Sequence, residues 1–398
     1  MLESCYGHNR VPFTDQFASH PTERLAASID CVLQASILDG FIAGAAIGVY
    51  HKNRFVYGRA AGYSDIEAFQ PMCFDSMFRL ASMTKPVVSV VALALIDEGA
   101  FSLDDPVVRW LPRFQPRLHN GTAPELTIRH LLTHTAGLSY GFLDTLDGPY
   151  HRAGISDGLD ESGLSLSDNI DRIASVPLLY EPGTAWSYSV STDILGAVIE
   201  AAMGQCLPEV VRRTVTGPLG MTRTRFLARR DDPLVVQYAD GDPQPVRMAG
   251  TFSVPFIGGA LRFSPDRAFN PNAYPSAGAG LVGTVGDYLR FLESLRTGNS
   301  VLPVSLIKSM TTNHTGTFDI NVAGPGYGFG LGVGVLIDPQ AAGSFASPGT
   351  WNWGGVYGNN FWVDPANNLT VVALTNTAVG GCVGPFPTSL QSAIYKSL

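Results

Sequence analysis

The chain predicts an α+β fold, with an antiparallel sheet assembled from both chain ends, helices packed on it, and a mainly helical insertion between. Three observations carry that expectation. Paired β-rich runs sit near each end, in "AAIGVYHKNRFVYGRAAGYSD" and "VYGNNFWVDPANNLTVVALTNTA". Between them helical periods alternate with long polar loops, and no apolar run approaches the ~20 residues that span a bilayer. With 398 residues and 45% hydrophobic content, the chain can bury a sizeable core. One domain over 1–398 is expected, its α/β part covering about 1–90 and 195–398 and its helical part about 91–194.

The elements follow in order. After a Thr22 cap, Leu25, Ile29, Val32, Leu33 and Ile37 fall on one helical face. Two β-rich runs around Lys52-Asn53 then read as a hairpin. Ser82–Glu98 is a helix apolar on nearly every side, closed by Gly99, and therefore buried. Thr127–His134 and Ser191–Met203 follow, closed near Gly137 and by Gly204. Thr284 opens a further helix through a Thr-x-x-Asp capping pattern with Asp287. Strands near 356–363 and 369–376, joined through Pro-Ala-Asn-Asn, precede a C-terminal helix around Ser389–Tyr395.

Charge excludes several classes of function. A net charge of −8, with no block of lysine or arginine, argues against nucleic acid and anionic membrane as partners. The five cysteines (Cys5, Cys31, Cys73, Cys206, Cys382) are odd in number, scattered and without a Cys-x-x-Cys pair, so free thiols are expected. No residue cluster calls for a metal or an organic cofactor. "MLESCYGHNRVPFTDQ" carries Glu3 and no apolar core, so it does not read as a secretory signal, and a cytoplasmic location is expected.

Three serines compete as a nucleophile. Ser156 lies in Gly-x-Ser-x-Gly, "GISDG", yet the strand before it and the helix after it that such an elbow needs are missing. The acid and histidine of that arrangement follow the serine in chain order, and only His314 of the eight histidines lies beyond 156. Ser156 is therefore expected in a loop near the pocket rim.

Ser-x-x-Lys occurs twice, at Ser82/Lys85 and Ser305/Lys308, using two of four lysines. Ser305 follows Pro303 in an ordinary amphipathic helix, with Lys308 at its solvated edge. Ser82 opens the buried helix, so Lys85 shares a helix face with it, and desolvation lowers the amine's pKa toward a form that accepts a proton. Pro86 falls in the first turn, where backbone N–H groups have no intrahelical partner.

The blocks "FRLASMTKP", "LTIRHLLTHTAGLSYGF", "EPGTAWSYSVSTDILG", "AGAGLVGTVGDYLRFL" and "WNWGGVYGNNFWVDP" together resemble the serine hydrolases of the class C β-lactamase and penicillin-binding type. More narrowly, they look like family VIII carboxylesterases. The resemblance implies a β-lactamase-like fold with Ser82 as acylated nucleophile and Lys85 with Tyr188 as general base and acid. It implies an oxyanion hole from the N–H groups of Ser82 and Val356, and a substrate pocket that includes Tyr140, Trp353, Gly354 and Gly355. A phenol beside an ammonium favours phenolate, so Lys85 and Tyr188 are expected to share one proton.

Two departures from the lactamase pattern bear on substrate. Trp353-Gly354-Gly355 stands where lactamases carry Lys-Thr-Gly, and Tyr188 is followed by Ser189-Val190 instead of reaching an asparagine. An apolar tryptophan in place of an ammonium prefers uncharged acyl groups. The expected activity is hydrolysis of short acyl or aryl esters, with a small-molecule ester as partner. Acyl transfer to an alcohol, β-lactamase or D-amino-acid peptidase activity, and a penicillin-binding sensor that acylates once are the competing expectations.

Overall fold

The computed structural model describes residues 11–15, 23–299 and 301–398, so the expected Thr22 cap and Cys5 lie outside the described residues. Its main sheet takes strands from both chain ends. The strands are β1 (Phe13–Asp15), β2 (Gly44–His51), β3 (Arg54–Asp65), β4 (Tyr327–Phe329), β5 (Gly334–Leu336), β6 (Trp351–Gly355), β7 (Asn359–Asp364) and β8 (Leu369–Thr375). They lie in the antiparallel order β1-β3-β2-β8-β7-β6-β5-β4, and Gln70–Pro71 adds a ninth strand on β3. The two chain ends meet at β2 and β8, in register from Ala45 opposite Thr375 to His51 opposite Leu369.

Both faces are covered, which is why the central strands read as nearly continuous apolar runs. Ala45, Ile47 and Val49 on β2, with Val371 and Ala373 on β8, share a core with residues of α1 (Glu23–Leu38) and of the C-terminal helix, α5 (Pro385–Tyr395). Alternate residues Ala46, Val372 and Leu374 point the other way, into the larger core shared with α2 (Thr84–Asp97), α3 (Ser191–Met203) and α4 (Val285–Thr297). The period of two thus divides one sheet between two hydrophobic cores.

Local differences from the sequence expectation have physical causes. At α4 the Thr284 side chain accepts from Asp287 N–H, but the Asp287 carboxylate takes Arg223 N–H and the Thr224 hydroxyl instead of returning to the cap. Only half of the capping box forms. The C-terminal helix begins at Pro385, four residues early, since prolines are tolerated in a first turn. β7 begins at Asn359, because Val356–Gly358 makes the turn from β6. The stretch contributing no strand runs from Leu80 to Gln237, longer than the expected helical part. A hairpin, Phe252–Phe256 with Gly259–Phe263, follows it. No single helix among the described residues is long and apolar enough to cross a membrane.

Candidate active site

The chain enters the site through Phe78–Arg79 and turns at Ala81–Met83 into α2. Ala81 has φ +46°, a left-handed conformation that costs a non-glycine residue roughly 1–2 kcal/mol. Its neighbours hold it there. Leu80 N–H donates to Leu281 O at 2.8 Å, and Met83 N–H to Leu80 O at 3.1 Å. Gly355 passes so close that a Cβ there would stand 2.2 Å from Leu80 O, so only glycine fits.

Val87, Val88, Val90, Val91 and Leu93 are all fully buried, and α2 carries Lys85 into the interior with them. Lys85 Nζ donates to Ser82 Oγ at 3.1 Å and to Gly278 O at 2.9 Å. Burial pulls its amine down to about 7, against the opposing pull of Asp193 and Asp157. A substantial neutral fraction therefore exists at neutral pH.

Tyr188 is buried beside this pair, its hydroxyl hydrogen-bonded to Ser82 and accepting from Trp353 Nε1 at 3.1 Å. Burial pushes its pKa up, and those two hydrogen bonds only partly offset the shift. The arrangement differs from a directly bonded lysine and tyrosine sharing one proton. Lys85 Nζ faces the Tyr188 ring, 4.7 Å from its centroid, and donates to the hydroxyl of Ser82 instead of to the phenol. Burial thus shifts both groups toward their neutral forms, the amine downward and the phenol upward.

A pocket of about 360 Å³ opens onto Ser82, lined by Tyr188, Trp353, Gly354 and Val356. Two residues expected at its surface lie deeper. Gly355 is spent on the close passage against Leu80. Tyr140 is stacked under Phe142, ring centroids 4.6 Å apart, and lies 5.1 Å from Lys85 Nζ. Tyr140 thus walls the amine, while Phe142 faces the pocket together with Phe256, from the 252–263 hairpin, and Tyr327.

Ser156 lies in a loop, as expected, but 1% exposed and away from the rim. Its hydroxyl is tied to Asp160 and accepts from Gly158 N–H at 3.2 Å and from the Tyr274 hydroxyl at 3.4 Å, with no histidine hydrogen-bonded to it among the described residues. Its neighbour Asp157 accepts from Gly141 N–H at 2.8 Å and Phe142 N–H at 3.1 Å, pinning the loop that carries Tyr140. Burial raises the Asp157 carboxyl to about 7. Ser305 and Lys308 are exposed on their helix.

Sequence reasoning missed three supports. Asp193, fully buried, takes Ser276 Oγ at 2.9 Å and Gly278 N–H at 3.0 Å on Oδ1, leaving Oδ2 without a hydrogen bond among the described residues. It thereby fixes the residue whose carbonyl holds Lys85. His134 packs 5.0 Å from the Tyr188 ring and bonds Ser189 Oγ at 3.1 Å. Cys382 lines the pocket, its thiol raised to about 12 by burial. An acidic residue inside the apolar block "SVSTDILG" was the available signal for Asp193.

The profile of the Beta-lactamase family matches residues 26–383. Esterase EstB of Burkholderia gladioli is 45% identical over 374 residues, 93% of this chain and 95% of that protein. Among solved structures, "EstCE1, a hydrolase with promiscuous acyltransferase activity" is 40% identical with a TM-score of 0.89, covering 94% of this chain and 99% of its own. Simvastatin synthase (LovD) of Aspergillus terreus shares the fold, with a TM-score of 0.74 at 23% identity over 93% of this chain and 97% of its own.

Proposed function

Since the chain belongs to the Beta-lactamase family and is a carboxylic ester hydrolase, we propose that it acts on short acyl or aryl esters through an acyl-enzyme on Ser82. The observation that carries this reading is the 3.1 Å contact of a fully buried Lys85 amine with Ser82 Oγ. Ser82 Oγ attacks the ester carbonyl and its proton passes to the neutral amine of Lys85. The oxyanion is met by the N–H groups of Ser82 and Val356, each worth about 3 kcal/mol in such sites. As the carbonyl re-forms, the bond to the alcohol breaks and the alcohol leaves with the proton that Lys85 took from Ser82, delivered by the Lys85 and Tyr188 pair, since Ser82 Oγ is by then esterified and carries none. Water then attacks the acyl carbonyl and gives its proton to the same amine; as the acyl–Oγ bond breaks, Ser82 Oγ takes that proton back and the acid is released.

Substrate preference follows from the walls. Phe142, Phe256, Tyr327 and Trp353 give a largely aromatic surface and present no cationic side chain for a substrate carboxylate, which favours uncharged acyl groups. A p-nitrophenyl ester of a short acid is the direct test: Ser82→Ala should abolish turnover and Ser156→Ala should retain it. Activity surviving in the Ser82 variant would overturn the assignment.

Acyl transfer is a second reading, favoured by the acyltransferase activity named for the 40%-identical EstCE1. Titrating an alcohol into the ester assay and measuring new ester against free acid separates transfer from hydrolysis. Chromogenic cephalosporin turnover at rates rivalling esters would return the chain to the β-lactamase reading.

A further inference from the structure

A second cavity, of about 390 Å³, lies behind the catalytic serine and shares no lining residue with the pocket in front. Three stretches separate them. Arg79 lines the rear cavity three residues before Ser82. Ala279–Val282 lines it directly after Gly278, whose carbonyl holds Lys85. Tyr357 lines it next to Val356.

Its polar content is one-sided. Arg79, Arg225 and Arg267 line it, and no aspartate, glutamate or lysine does. Arg225 is neutralised by Asp232. Arg79, 7% exposed, donates from Nε to Pro265 O and from Nη1 to Val235 O, each at 2.8 Å, and its Nη2 has no partner among the described residues. Asp266, whose field reaches Arg79, is exposed and makes no ion pair with it. Arg267 makes no ion pair among the described residues: it donates to Asp160 O at 2.6 Å and Tyr274 O at 2.7 Å, lies 4.6 Å from the Tyr274 ring centroid, and reaches the buried Asp193 only through its field.

Carbonyl dipoles offset part of the desolvation of these two guanidiniums but supply no counter-charge. The phenol of Tyr357 lies in the field of both. Around them the wall is apolar, with Leu159, Phe226 and Leu281. A volume in the ~300–1,000 Å³ range of small-molecule sites, an apolar wall and two arginines, Arg79 and Arg267, that make no ion pair among the described residues describe a receptor for an amphipathic anion.

We propose that the rear cavity is a second, non-catalytic site for a monocarboxylate with a short apolar tail, Arg79 and Arg267 taking the carboxylate and the Leu159, Phe226 and Leu281 wall the tail. This is the class of molecule that ester hydrolysis releases, so the enzyme carries a receptor for its own product behind its catalytic turn. The site holds whether or not Ser82 is the nucleophile.

Calorimetric titration tests it, on the full chain with its catalytic serine capped by a fluorophosphonate and the capped peptide located by mass. Hexanoate should bind at one equivalent, with hexanamide and inorganic phosphate weaker by about tenfold or more. Leu227 is 44% exposed and lines the cavity, and Leu227→Glu should weaken hexanoate at least about tenfold by placing a carboxylate there. Arg267→Gln should do the same, with far-UV circular dichroism checking its fold.

Absence of hexanoate binding, equal binding of hexanamide or phosphate, or an affinity unmoved by Leu227→Glu overturns the proposal. A cap found elsewhere than Ser82 counts against the nucleophile assignment alone. The comparison of uncapped chain with its Leu227→Glu variant then decides the cavity.

Discussion

Two Ser-x-x-Lys pairs share one spacing in this chain and nothing else. Ser82 and Lys85 open a helix whose residues from Thr84 to Leu95 are all buried, whereas Ser305 and Lys308 lie exposed on a seven-residue helix. At the first pair the amine has lost its hydration, has one carbonyl and one hydroxyl to donate to, and is flanked by two phenol rings. Water supplies the second pair with everything the first must find in protein. Spacing brings a lysine within reach of a serine, and burial lowers that lysine's pKa toward its neutral form.

The sharpest way to break this contrast is to exchange the serines' fates. Ser82→Ala should lower kcat for a p-nitrophenyl ester on the order of 10⁴-fold or more, while Ser305→Ala leaves it unchanged. Comparable losses in both would dissolve the distinction.

Replacing the lysines sharpens it along a second axis, stability. In the fold Lys85 titrates at about 7, against about 10.4 in an unfolded chain, so between those values the unfolded state binds the extra proton. Stability of the wild type should therefore rise with pH through that window, the burial cost being complete below pH 7. Lys85→Met should abolish turnover yet stabilise the fold by a few kcal/mol near pH 7, less the ~1 kcal/mol hydrogen bond to Gly278, with the gain shrinking toward pH 10. Denaturant melts at several pH values read this, and Lys308→Met should move neither activity nor its pH dependence.

Smaller effects probe the partners. Trp353→Phe removes the indole donor on Tyr188 Oη and should lower kcat by about tenfold, equivalent to ~1.4 kcal/mol, with the fold intact. Ser156→Ala should keep activity while costing about 1 kcal/mol of stability, read as a fall in Tm, because a buried hydroxyl network is lost.

Much of this fold was legible in the chain because its signals are local. The hairpin about Lys52-Asn53, α3 from Ser191 to Met203 with its Gly204 stop, and the sheath of valines after Ser82 are written in short-range periodicity. The site's surroundings were less legible, since they come from segments far apart in sequence. Asp193 acts through Gly278, and Asp157 through Gly141 and Phe142, over separations no pattern encodes. The hairpin at 252–263 is exposed on alternate residues with weak apolar contrast, so nothing in its composition announced Phe256 as a pocket wall. "GISDG" was legible as a loop but not as a brace: its serine hydroxyl is bonded within the loop, and its aspartate holds the backbone that carries Tyr140.

Ala81 gives the site a clock of its own. A main chain kept in a shape that alanine avoids is a cocked spring, and its catch is three contacts contributed by Leu281, Met83 and Gly355. Warming loosens such catches before it melts a doubly covered sheet. Turnover should fade while circular dichroism still reports a full complement of strands, and Ala81→Gly, for which the shape is no effort, should bring the two decays together.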